Sequence, residues 1–326
     1  MSELKRRILA AVGDDLTAIE AQLKANLNPH FELVAEVAGH ILFAGGKRLR
    51  PLLTVLCARL CGHVDGNTAR YATIFEYLHA ATLLHDDLVD GADMRRGRTV
   101  ANQVWDNPTA VLTGDFLLAR GLSIAADTGL SEVIWTIAGI TENMSQGEIR
   151  QLARKGDVSL TEAEYLEVIR CKTAVLFEGA CRTGALVAGA DNGCVKALSD
   201  YGHHLGVAFQ MADDLLDYTQ DAAALGKRSG ADLREGKLTL PLIHALQAAP
   251  VADRRRMVAI IGNPEFSGAD FAELVVLLDR HGGIAYTRAA AAACIRTAKA
   301  AIARFDRGET HQVLSDIADY ALIRQA

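Results

Sequence analysis

The stretch ATIFEYLHAATLLHDDLVD, from Ala72 to Asp90, decides the fold class of the chain. Its apolar residues recur at spacings of three and four, which is the period of one helix face rather than the alternation of a β-strand. The apolar run then ends in three carboxylates, Asp86, Asp87 and Asp90. Carboxylates oppose the dipole at a helix C-terminus. The pattern therefore predicts a largely buried helix that ends at a functional surface.

The same helical period recurs along nearly all of the remaining sequence. Short segments rich in Gly, Pro and Asn, such as CGHVDGNT and IGNPEFSG, separate the helical stretches and are typical of helix connections. None of these segments is long enough to be an interdomain linker. We therefore predict an all-α fold, with residues 1–326 in a single-domain helical bundle.

Composition narrows the class of protein. The chain has 34 basic and 40 acidic residues, a formal net charge of −6, which argues against a nucleic-acid-binding surface. Six cysteines are scattered without a paired framework and no secretory leader is evident, so we expect a cytoplasmic protein. The longest stretch without Asp, Glu, Lys or Arg is 238–252, which contains two prolines. We therefore expect no membrane-spanning helix.

A second acidic cluster, ADDLLDYTQD at 212–221, also follows an apolar helical run. Four residues cover about 400° of helix, so Asp86 and Asp90 share one face and Asp213 and Asp217 share another. Carboxylates this close raise one another's pKa unless a cation lies among them, and hard oxygen ligands suit Mg²⁺. One such cluster alone would be explained equally well as a solvated helix end. Two clusters, each after a strongly apolar turn, favour magnesium binding.

Basic residues occur in short segments near both clusters. Arginine and lysine side chains of this kind bind phosphate oxygens, although each one alone would be explained as an ordinary surface charge. The sequence has no P-loop and no dinucleotide-binding glycine motif, so we expect a phosphate ligand that is not a nucleotide held in those ways. The candidate anion-binding residues are Lys47, Arg48, Arg50, Arg95, Arg96, Lys172, Thr173, Lys227 and Lys237.

Taken together, these motifs resemble the trans-isoprenyl diphosphate synthases, also called polyprenyl synthetases, from about Gly45 to Pro241. The resemblance rests on GGKRLRP, HAATLLHDDLVDGADMRRG, GD at 114–115, KTA at 172–174, and FQMADDLLD followed by DLREGK. It implies antiparallel helices around a deep central cavity, usually in a homodimer. It also implies a prenyltransferase that adds isopentenyl diphosphate to an allylic diphosphate.

The resemblance assigns a role to each motif residue. About three Mg²⁺ ions would grip the allylic diphosphate across the mouth of the cavity, held by Asp86, Asp90, Asp213 and Asp217. Catalysis would depend on Asp86, Asp90, Asp213, Lys172 and Arg95. The allylic diphosphate would also be bound by Arg95, Lys172, Thr173, Gln210, Lys227 and Lys237. Isopentenyl diphosphate would be bound by Lys47, Arg50, His79 and Arg96. No side-chain nucleophile is required, because departure of the stabilised diphosphate leaves an allylic carbocation.

Product length would be set by the helix before Asp86, which lines the tunnel in this family. Ala81 and Thr82 are small residues at positions where short-chain relatives often have an aromatic floor, and Leu78 or Tyr77 would close a deeper tunnel. The first motif also lacks the two-residue insertion typical of bacterial short-chain enzymes. The resemblance therefore favours an octaprenyl to decaprenyl diphosphate synthase for quinone side chains, with a geranylgeranyl or farnesyl synthase as the alternative.

Other classes fit parts of the sequence. A non-catalytic subunit of a heteromeric synthase would usually lack one aspartate motif, and a terpene cyclase would lack the second diphosphate pocket of Lys47, Arg50 and Arg96. A helical interaction scaffold would explain the helical period but not the charges. A long prenyl product is poorly soluble in water, so we expect transient membrane contact during its release. The basic C-terminal ends of relatives are matched here only in part, by Arg324.

Overall fold

The computed structural model describes residues 2–63, 65–219 and 230–323, which form an almost entirely helical fold. The first helices in chain order are α1 (Glu3–Leu27), α2 (Glu32–Leu42), α3 (Leu49–Leu60), α4 (Thr68–Val89), α5 (Ala101–Val104), α6 (Asn107–Asp127) and α7 (Ser131–Ala153). They are followed by α8 (Glu162–Ile169), α9 (Val175–Val187), α10 (Asn192–Thr219), α11 (Ala231–Arg234), α12 (Leu240–Ala248), α13 (Val251–Ile261), α14 (Gly268–Arg280), α15 (Gly283–Ile302) and α16 (Glu309–Ile323). The predicted all-α class is confirmed.

Local sequence determines where several of these helices begin. The side chain of Thr161 accepts a backbone hydrogen bond at the start of α8 and Glu164 accepts one in return, which forms a capping box. Ser267 and Asp270 make the same arrangement at the start of α14. Helix α6 begins after Asp106, whose side chain accepts a backbone N–H of the first turn. These caps satisfy backbone groups that the helix itself leaves unbonded.

The connection between α4 and α5 departs from the prediction of helices joined by loops. Residues Met94–Arg95 (β1) pair antiparallel with Arg98–Thr99 (β2) in a short hairpin. Its turn residues, Arg96 and Gly97, have φ values of +52° and +75°. Two successive positive φ values are typical of a type I′ turn. The hairpin brings Arg95 back to α4, where its Nε donates a hydrogen bond.

Helix α4 lies at the centre of the larger of two hydrophobic clusters in the described residues, in contact with α1, α2, α3, α6 and α9. Most of its side chains are buried, among them Phe75 and Leu78. The smaller cluster is formed mainly by α12, α13 and α14. Helix α10 contributes Met211 to the first cluster and Leu215 to the second, so it connects the two.

Helices α3 and α9 approach closely at Gly184. A Cβ atom there would lie 2.4 Å from the carbonyl oxygen of Thr54 and 2.9 Å from the Cβ of Cys57. We expect Gly184→Ala to lower the free energy of unfolding by about 2–3 kcal/mol, because overpacking forces the backbones apart. Gly13→Ala is the control, since a Cβ at that position in α1 would meet nothing within 4 Å. Denaturant unfolding measures both variants, and equal stabilities would contradict the prediction.

Helix α6 bears on the expectation that no helix spans a membrane. Among the described helices it is the one that is long and apolar enough to cross a bilayer. In the fold, however, Gly114 and Gly121 bring one face of α6 into close contact with His85 and Leu78 of α4. A core helix passes the same test of length and composition, so this finding is weak evidence for a membrane span.

Candidate functional site

A cavity of about 780 Å³ opens where the C-terminal parts of α4 and α10 meet α8, α9 and the segment before α3. Carboxylates, cations and apolar side chains all line it. The predicted site residues in the lining are Lys47, Arg50, His79, Thr82, Asp86, Arg95, Arg96, Lys172, Thr173, Gln210, Asp213 and Lys237. The fold therefore brings together most of the predicted site from segments that are far apart in the sequence.

Asp86 is the residue of the first acidic cluster that lines the cavity. Burial raises its pKa to about 6, and the carboxylates of Glu148 and Asp90 add to the shift while Lys172 opposes it. A nearby cation stabilises the ionised form of such a carboxyl group. The surroundings of Asp86 therefore fit a ligand of a divalent cation.

The other two carboxylates of the first cluster are bonded to cations of the protein. Asp90 accepts a hydrogen bond from Lys237 Nζ at 2.8 Å and does not belong to the cavity lining. Burial works against the ionised form, but the bond from Lys237 holds the pKa of Asp90 below its usual value. Asp87 is buried and accepts a hydrogen bond from Arg95 Nε at 2.6 Å. The helical period alone did not predict that Asp90 would be turned to a lysine and Asp87 to an arginine.

The second acidic cluster is divided in a similar way. Asp213 is exposed and lines the cavity. Asp217 does not line it and instead accepts hydrogen bonds from the backbone N–H groups of Ala231 and Asp232, at 3.0 and 3.1 Å. Each predicted pair of carboxylates thus contributes one member to the cavity wall in this structure.

Asp214 forms a buried hydrogen-bond network beside Asp213. It accepts bonds from the hydroxyl of Tyr165 at 2.6 Å and from Gln210 Nε2 at 2.7 Å. Thr173 donates in turn to Gln210 Oε1 at 2.7 Å. Burial raises the pKa of Asp214 to about 7, against the effect of the two hydrogen bonds. The network fixes Gln210 and Thr173 at the cavity wall, and Tyr165 is a member that no sequence motif indicated.

Lys172 and Thr173 lie in a π-helical turn, Arg170–Ala174, that joins α8 to α9. Wide turns of this type are frequent at functional sites because they redirect side chains within a helix. Lys172 Nζ donates to Gln151 Oε1 at 2.5 Å and forms an ion pair with Glu148. The turn therefore presents two predicted phosphate-binding residues on the same wall of the cavity.

Two predicted cations at the start of α3, Lys47 just before the helix and Arg50 in its first turn, point toward aromatic rings. The Nζ atom of Lys47 lies 5.5 Å from the ring centroid of Tyr320, and the guanidinium carbon of Arg50 lies 4.8 Å from that of Phe177. Cation–π contacts of this kind hold a charged group in place without neutralising it. These contacts therefore help to hold both side chains at the cavity wall.

His79 and Arg96 complete the predicted second phosphate pocket. Arg96 donates a hydrogen bond to the carbonyl oxygen of Gly45. Burial lowers the pKa of His79 well below its usual value, and the nearby charges of Arg50 and Arg96 lower it further. The imidazole is therefore neutral near pH 7, and it can contribute a hydrogen bond but no charge.

Of the four positions predicted to limit product length, Thr82 is the one that lines the cavity. Ala81 and Leu78 are buried in the main hydrophobic cluster. Tyr77 is also buried, and its hydroxyl donates to the carbonyl oxygen of Leu23 in α1 at 2.7 Å. The roles of these residues in product length stay predictions.

Some residues lie outside the described ranges or were missed by sequence reasoning. Lys227 and Arg324 are not among the described residues. Lys155 was missed; its Nζ donates to Asp90 at 3.4 Å, and nothing in the sequence pattern marks it. Asp232 lines the cavity, and burial raises its pKa well above the usual value. The DLREGK motif contains Asp232, so that motif could have identified it.

The donor set of the cavity fits a divalent cation that prefers oxygen ligands. The aspartates in its lining are Asp86, Asp213, Asp214 and Asp232, and Glu76 also lines it but is bonded to Arg48. Within the described ranges, no three acidic, histidine or cysteine side chains converge to hold an ion by themselves. Carboxylate oxygens such as those of Asp86 and Asp213 suit Mg²⁺, which takes one or two carboxylates and completes its octahedron with water and phosphate oxygens.

A second cavity, of about 360 Å³, adjoins the first between α1, α3 and α16 and has a mainly apolar lining. The two cavities share residues 46–49 and Phe209. Glu20 lines the second cavity, Glu76 lines the first, and Arg48 lines both. The segment before α3 is therefore the wall between them.

Comparison with known proteins identifies the family. The family model of polyprenyl synthetase matches residues 31–278. An octaprenyl diphosphate synthase of Haemophilus influenzae is 44% identical over 233 residues, which are 72% of this chain and 71% of the relative. The crystal structure of a Caulobacter crescentus polyprenyl synthase, complexed with calcium and isoprenyl diphosphate, has a TM-score of 0.92 and 38% identity, with 98% of each chain covered.

A second solved structure agrees with the first. A decaprenyl diphosphate synthase from Rhodobacter capsulatus has a TM-score of 0.92 and 40% identity, and the match covers 98% of this chain and 99% of that one. The resemblance found in the motifs is thereby confirmed over nearly the whole length. The chain belongs to the polyprenyl synthetase family.

Proposed function

We propose that this prenyltransferase is a long-chain trans-polyprenyl diphosphate synthase, which extends an allylic diphosphate by successive units of isopentenyl diphosphate. One observation carries the proposal: Asp86 and Asp213, from separate acidic motifs, line one cavity together with the predicted phosphate-binding cations. Similarity to octaprenyl and decaprenyl synthases supports a long product. We assign the activity to a single domain spanning residues 1–326.

The allylic diphosphate is proposed to bind between the two acidic walls. Asp86 and Asp213 would hold Mg²⁺, and Asp90 and Asp217 would join them when the substrate is bound. Lys237 donates to Asp90 in this structure, and moving that bond to a diphosphate oxygen would release Asp90 for a metal ion. The calcium and isoprenyl diphosphate bound by the Caulobacter crescentus relative support this assignment.

Three further groups on the wall would hold the leaving diphosphate. Lys172 supplies an ammonium, and Thr173 and Gln210 supply polar atoms that the Asp214 network already fixes in place. The Nε of Arg95 donates to Asp87, and the Nη groups of Arg95 would donate to phosphate oxygens. Lys237, and Lys227 outside the described residues, would add charge. Magnesium, when bound, neutralises the diphosphate and makes it a better leaving group.

The second substrate would bind in the pocket of Lys47, Arg50, His79 and Arg96. Its double bond attacks the allylic carbocation as the first diphosphate departs, and the new carbocation formed by this attack then loses a proton to give the product. The departed diphosphate is the nearest base, so no side-chain nucleophile or dedicated base is needed. Apolar lining residues such as Leu176 limit access of water to the cation.

The small residues Ala81 and Thr82 support a long product, because neither blocks growth along α4. The alternative is a geranylgeranyl or farnesyl diphosphate synthase, in which Leu78 or Tyr77 would close the tunnel. A non-catalytic subunit is disfavoured, since both acidic motifs are present and both reach the cavity, through Asp86 and Asp213. We assign the product to quinone side chains, with Mg²⁺ as cofactor and the cytoplasm as location. Release would involve transient contact with a membrane.

We also propose a homodimer that forms through α6 and α7, which pack against each other. Trp135 and Ile149 of α7 are 76% and 66% exposed, and Leu112 of α6 is exposed as well. Apolar groups of this size on neighbouring helices are typical of protein interfaces.

Trp135→Glu is expected to raise the dimer dissociation constant by at least about tenfold, because a carboxylate would be buried in the interface. Light scattering over a dilution series measures the change. Val276→Glu is the matched control, since Val276 is an exposed apolar residue on α14, away from α6 and α7. Equal dimer stability in the two variants would place the interface elsewhere.

The proposed activity is tested by incubating the purified protein with Mg²⁺, farnesyl diphosphate and labelled isopentenyl diphosphate. The dephosphorylated products are then sized by reversed-phase chromatography. A ladder that ends at eight to ten isoprene units is expected, as in the octaprenyl and decaprenyl synthases that the chain resembles. Products of three or four units would favour the short-chain alternative, and absence of incorporation would contradict the catalytic proposal.

A further inference from the structure

Arg48 follows Lys47 in the GGKRLRP segment, but its side chain points into the protein and is only 4% exposed. Its Nε donates to Glu20 Oε1 at 2.5 Å and its Nη1 donates to Glu76 Oε1 at 2.6 Å. Its Nη2 donates to the carbonyl oxygen of Leu42 at 2.6 Å. These partners belong to α1, α4 and α2, so one guanidinium group connects three helices.

The segment before α3 needs such an anchor because of its backbone conformation. Gly45, Gly46 and Arg48 have φ values of +96°, +152° and +49°. A positive φ is uncommon for a residue with a side chain and persists where surrounding contacts enforce it. The three hydrogen bonds of the Arg48 side chain supply that enforcement.

We propose that Arg48 is a positioning residue for the isopentenyl diphosphate pocket, held in that role by Glu20 and Glu76. Lys47 precedes Arg48 and Arg50 follows two positions later, and both line the cavity. Fixing the backbone at Arg48 therefore also fixes the positions of the Cα atoms from which the Lys47 and Arg50 side chains extend. The inference rests on the proposed function, which assigns the two cations to isopentenyl diphosphate.

We call the three hydrogen bonds of the Arg48 side chain the clamp. Through the clamp, α1 also contributes to substrate binding. Glu20 lies in α1, before residue 31, where the match to the family model begins. It lines the second, apolar cavity and is absent from the lining of the first. Any effect of Glu20 on the substrate must therefore pass through Arg48 and the segment that carries Lys47.

The charges around Arg48 argue against direct binding of a phosphate group. Two carboxylates already bond to the guanidinium, and a buried arginine paired in this way has little attraction left for a further anion. Its planar fork also suits three acceptors in fixed directions, which a lysine ammonium cannot match. Arg48→Lys would therefore keep the charge and lose the clamp.

Glu20→Gln distinguishes a positioning role of Arg48 from direct phosphate binding, because the two roles change the KM for isopentenyl diphosphate in opposite directions. If Arg48 positions the segment, the weakened clamp raises the KM for isopentenyl diphosphate by about threefold to tenfold. The KM for farnesyl diphosphate and kcat remain unchanged. If Arg48 binds the diphosphate directly, removal of the competing carboxylate lowers the KM for isopentenyl diphosphate, and the proposal is overturned. Arg48→Lys should give the larger increase, about tenfold or more.

The matched control is Asp15→Asn. Asp15 accepts a hydrogen bond from Arg59 at 2.5 Å, which also joins α1 to α3 but does not involve the segment before α3. This variant should leave the KM for isopentenyl diphosphate unchanged. If Glu20→Gln and Asp15→Asn lower the Tm alike and change no KM, Arg48 is merely structural and the proposal fails.

A measurement without turnover keeps the inference separate from the proposed function. Hydrogen exchange of the backbone amides at 45–48 is compared between the wild type and Glu20→Gln. Faster exchange in the variant is expected, and equal exchange would overturn the clamp. Failure of the wild-type protein to incorporate isopentenyl diphosphate would instead overturn the proposed function.

Discussion

Alanine in place of Asp86 or Asp213 is expected to lower kcat by about a thousandfold, a loss of ~4 kcal/mol of transition-state stabilisation. Each carboxylate is proposed to hold a metal ion on the departing diphosphate, and no other lining group can replace both its charge and its position. The measurement is turnover of farnesyl and isopentenyl diphosphates at saturating Mg²⁺.

The fold should survive both substitutions. Asp213 is exposed, and burial raises the pKa of Asp86 to about 6. Because the folded-state pKa of Asp86 lies above its ordinary value, the ionised carboxyl costs stability at pH values above about 6 when no cation is bound. Asp86→Ala is therefore expected to keep or raise the Tm at pH 8 in the presence of a chelator.

Asp200→Ala is the matched control for the metal-ligand variants. Asp200 also lies on α10 and forms a surface ion pair with Lys196 at 2.7 Å, away from the cavity. Its removal should leave kcat unchanged. Turnover in Asp86→Ala or Asp213→Ala that stays within about tenfold of the wild type would show that the residue is not an essential metal ligand.

Phenylalanine at position 81 is expected to shorten the product from eight to ten isoprene units to about three or four, because a ring on this turn of α4 would obstruct the growing chain. Thr82→Phe should have the same effect, since Thr82 lines the cavity directly. Product sizing after a fixed number of turnovers measures both variants.

Two controls separate obstruction from damage to the core. Ala81 is fully buried, so the Tm of Ala81→Phe must be measured beside its product ladder. Thr82→Ser changes little volume and should leave the ladder unchanged. If Thr82→Phe and a stably folded Ala81→Phe both make full-length product, the tunnel does not pass this turn of α4.

Helical period and motif spacing predicted the all-α fold and the acidic ends of α4 and α10, while the family resemblance implied that both ends meet at one cavity, which they do. Both features depend on residues close together in sequence. The period assigns residues to a helix face, and an acidic pair after an apolar run marks where that face meets solvent. That information placed Asp86 and Asp213 among the candidate metal ligands, each as one member of a pair.

The same reasoning could not predict what packs against each carboxylate. Asp90 shares a helix face with Asp86, yet it is bonded to Lys237, which is distant in sequence and follows an unrelated helix. Asp217 is bonded to backbone N–H groups of α11. Contacts of this kind depend on how helices are arranged in space, and a period within one helix carries no information on that arrangement.

Backbone geometry was the second feature of the site that the sequence could not predict. The π-helical turn that presents Lys172 depends on packing between helices, and the hairpin turn at Arg96 depends on two successive positive φ values. The neighbours of Arg48 in sequence predict a phosphate-binding cation. In the structure, Arg48 is instead buried and bonded to Glu20 and Glu76. For Arg48, contacts between residues far apart in sequence therefore determine its role.

We propose that one cavity holds two diphosphates, one between the acidic walls and one on Lys47 and Arg50 at the start of α3. The most direct test is a crystal structure with Mg²⁺, isopentenyl diphosphate and a farnesyl thiodiphosphate analogue that cannot ionise. We predict metal ions bound to Asp86 and Asp213 on the analogue's diphosphate, with Lys47 and Arg50 on that of isopentenyl diphosphate. Metal ions that do not contact Asp86 or Asp213, or both diphosphates on the same wall, would contradict this proposal.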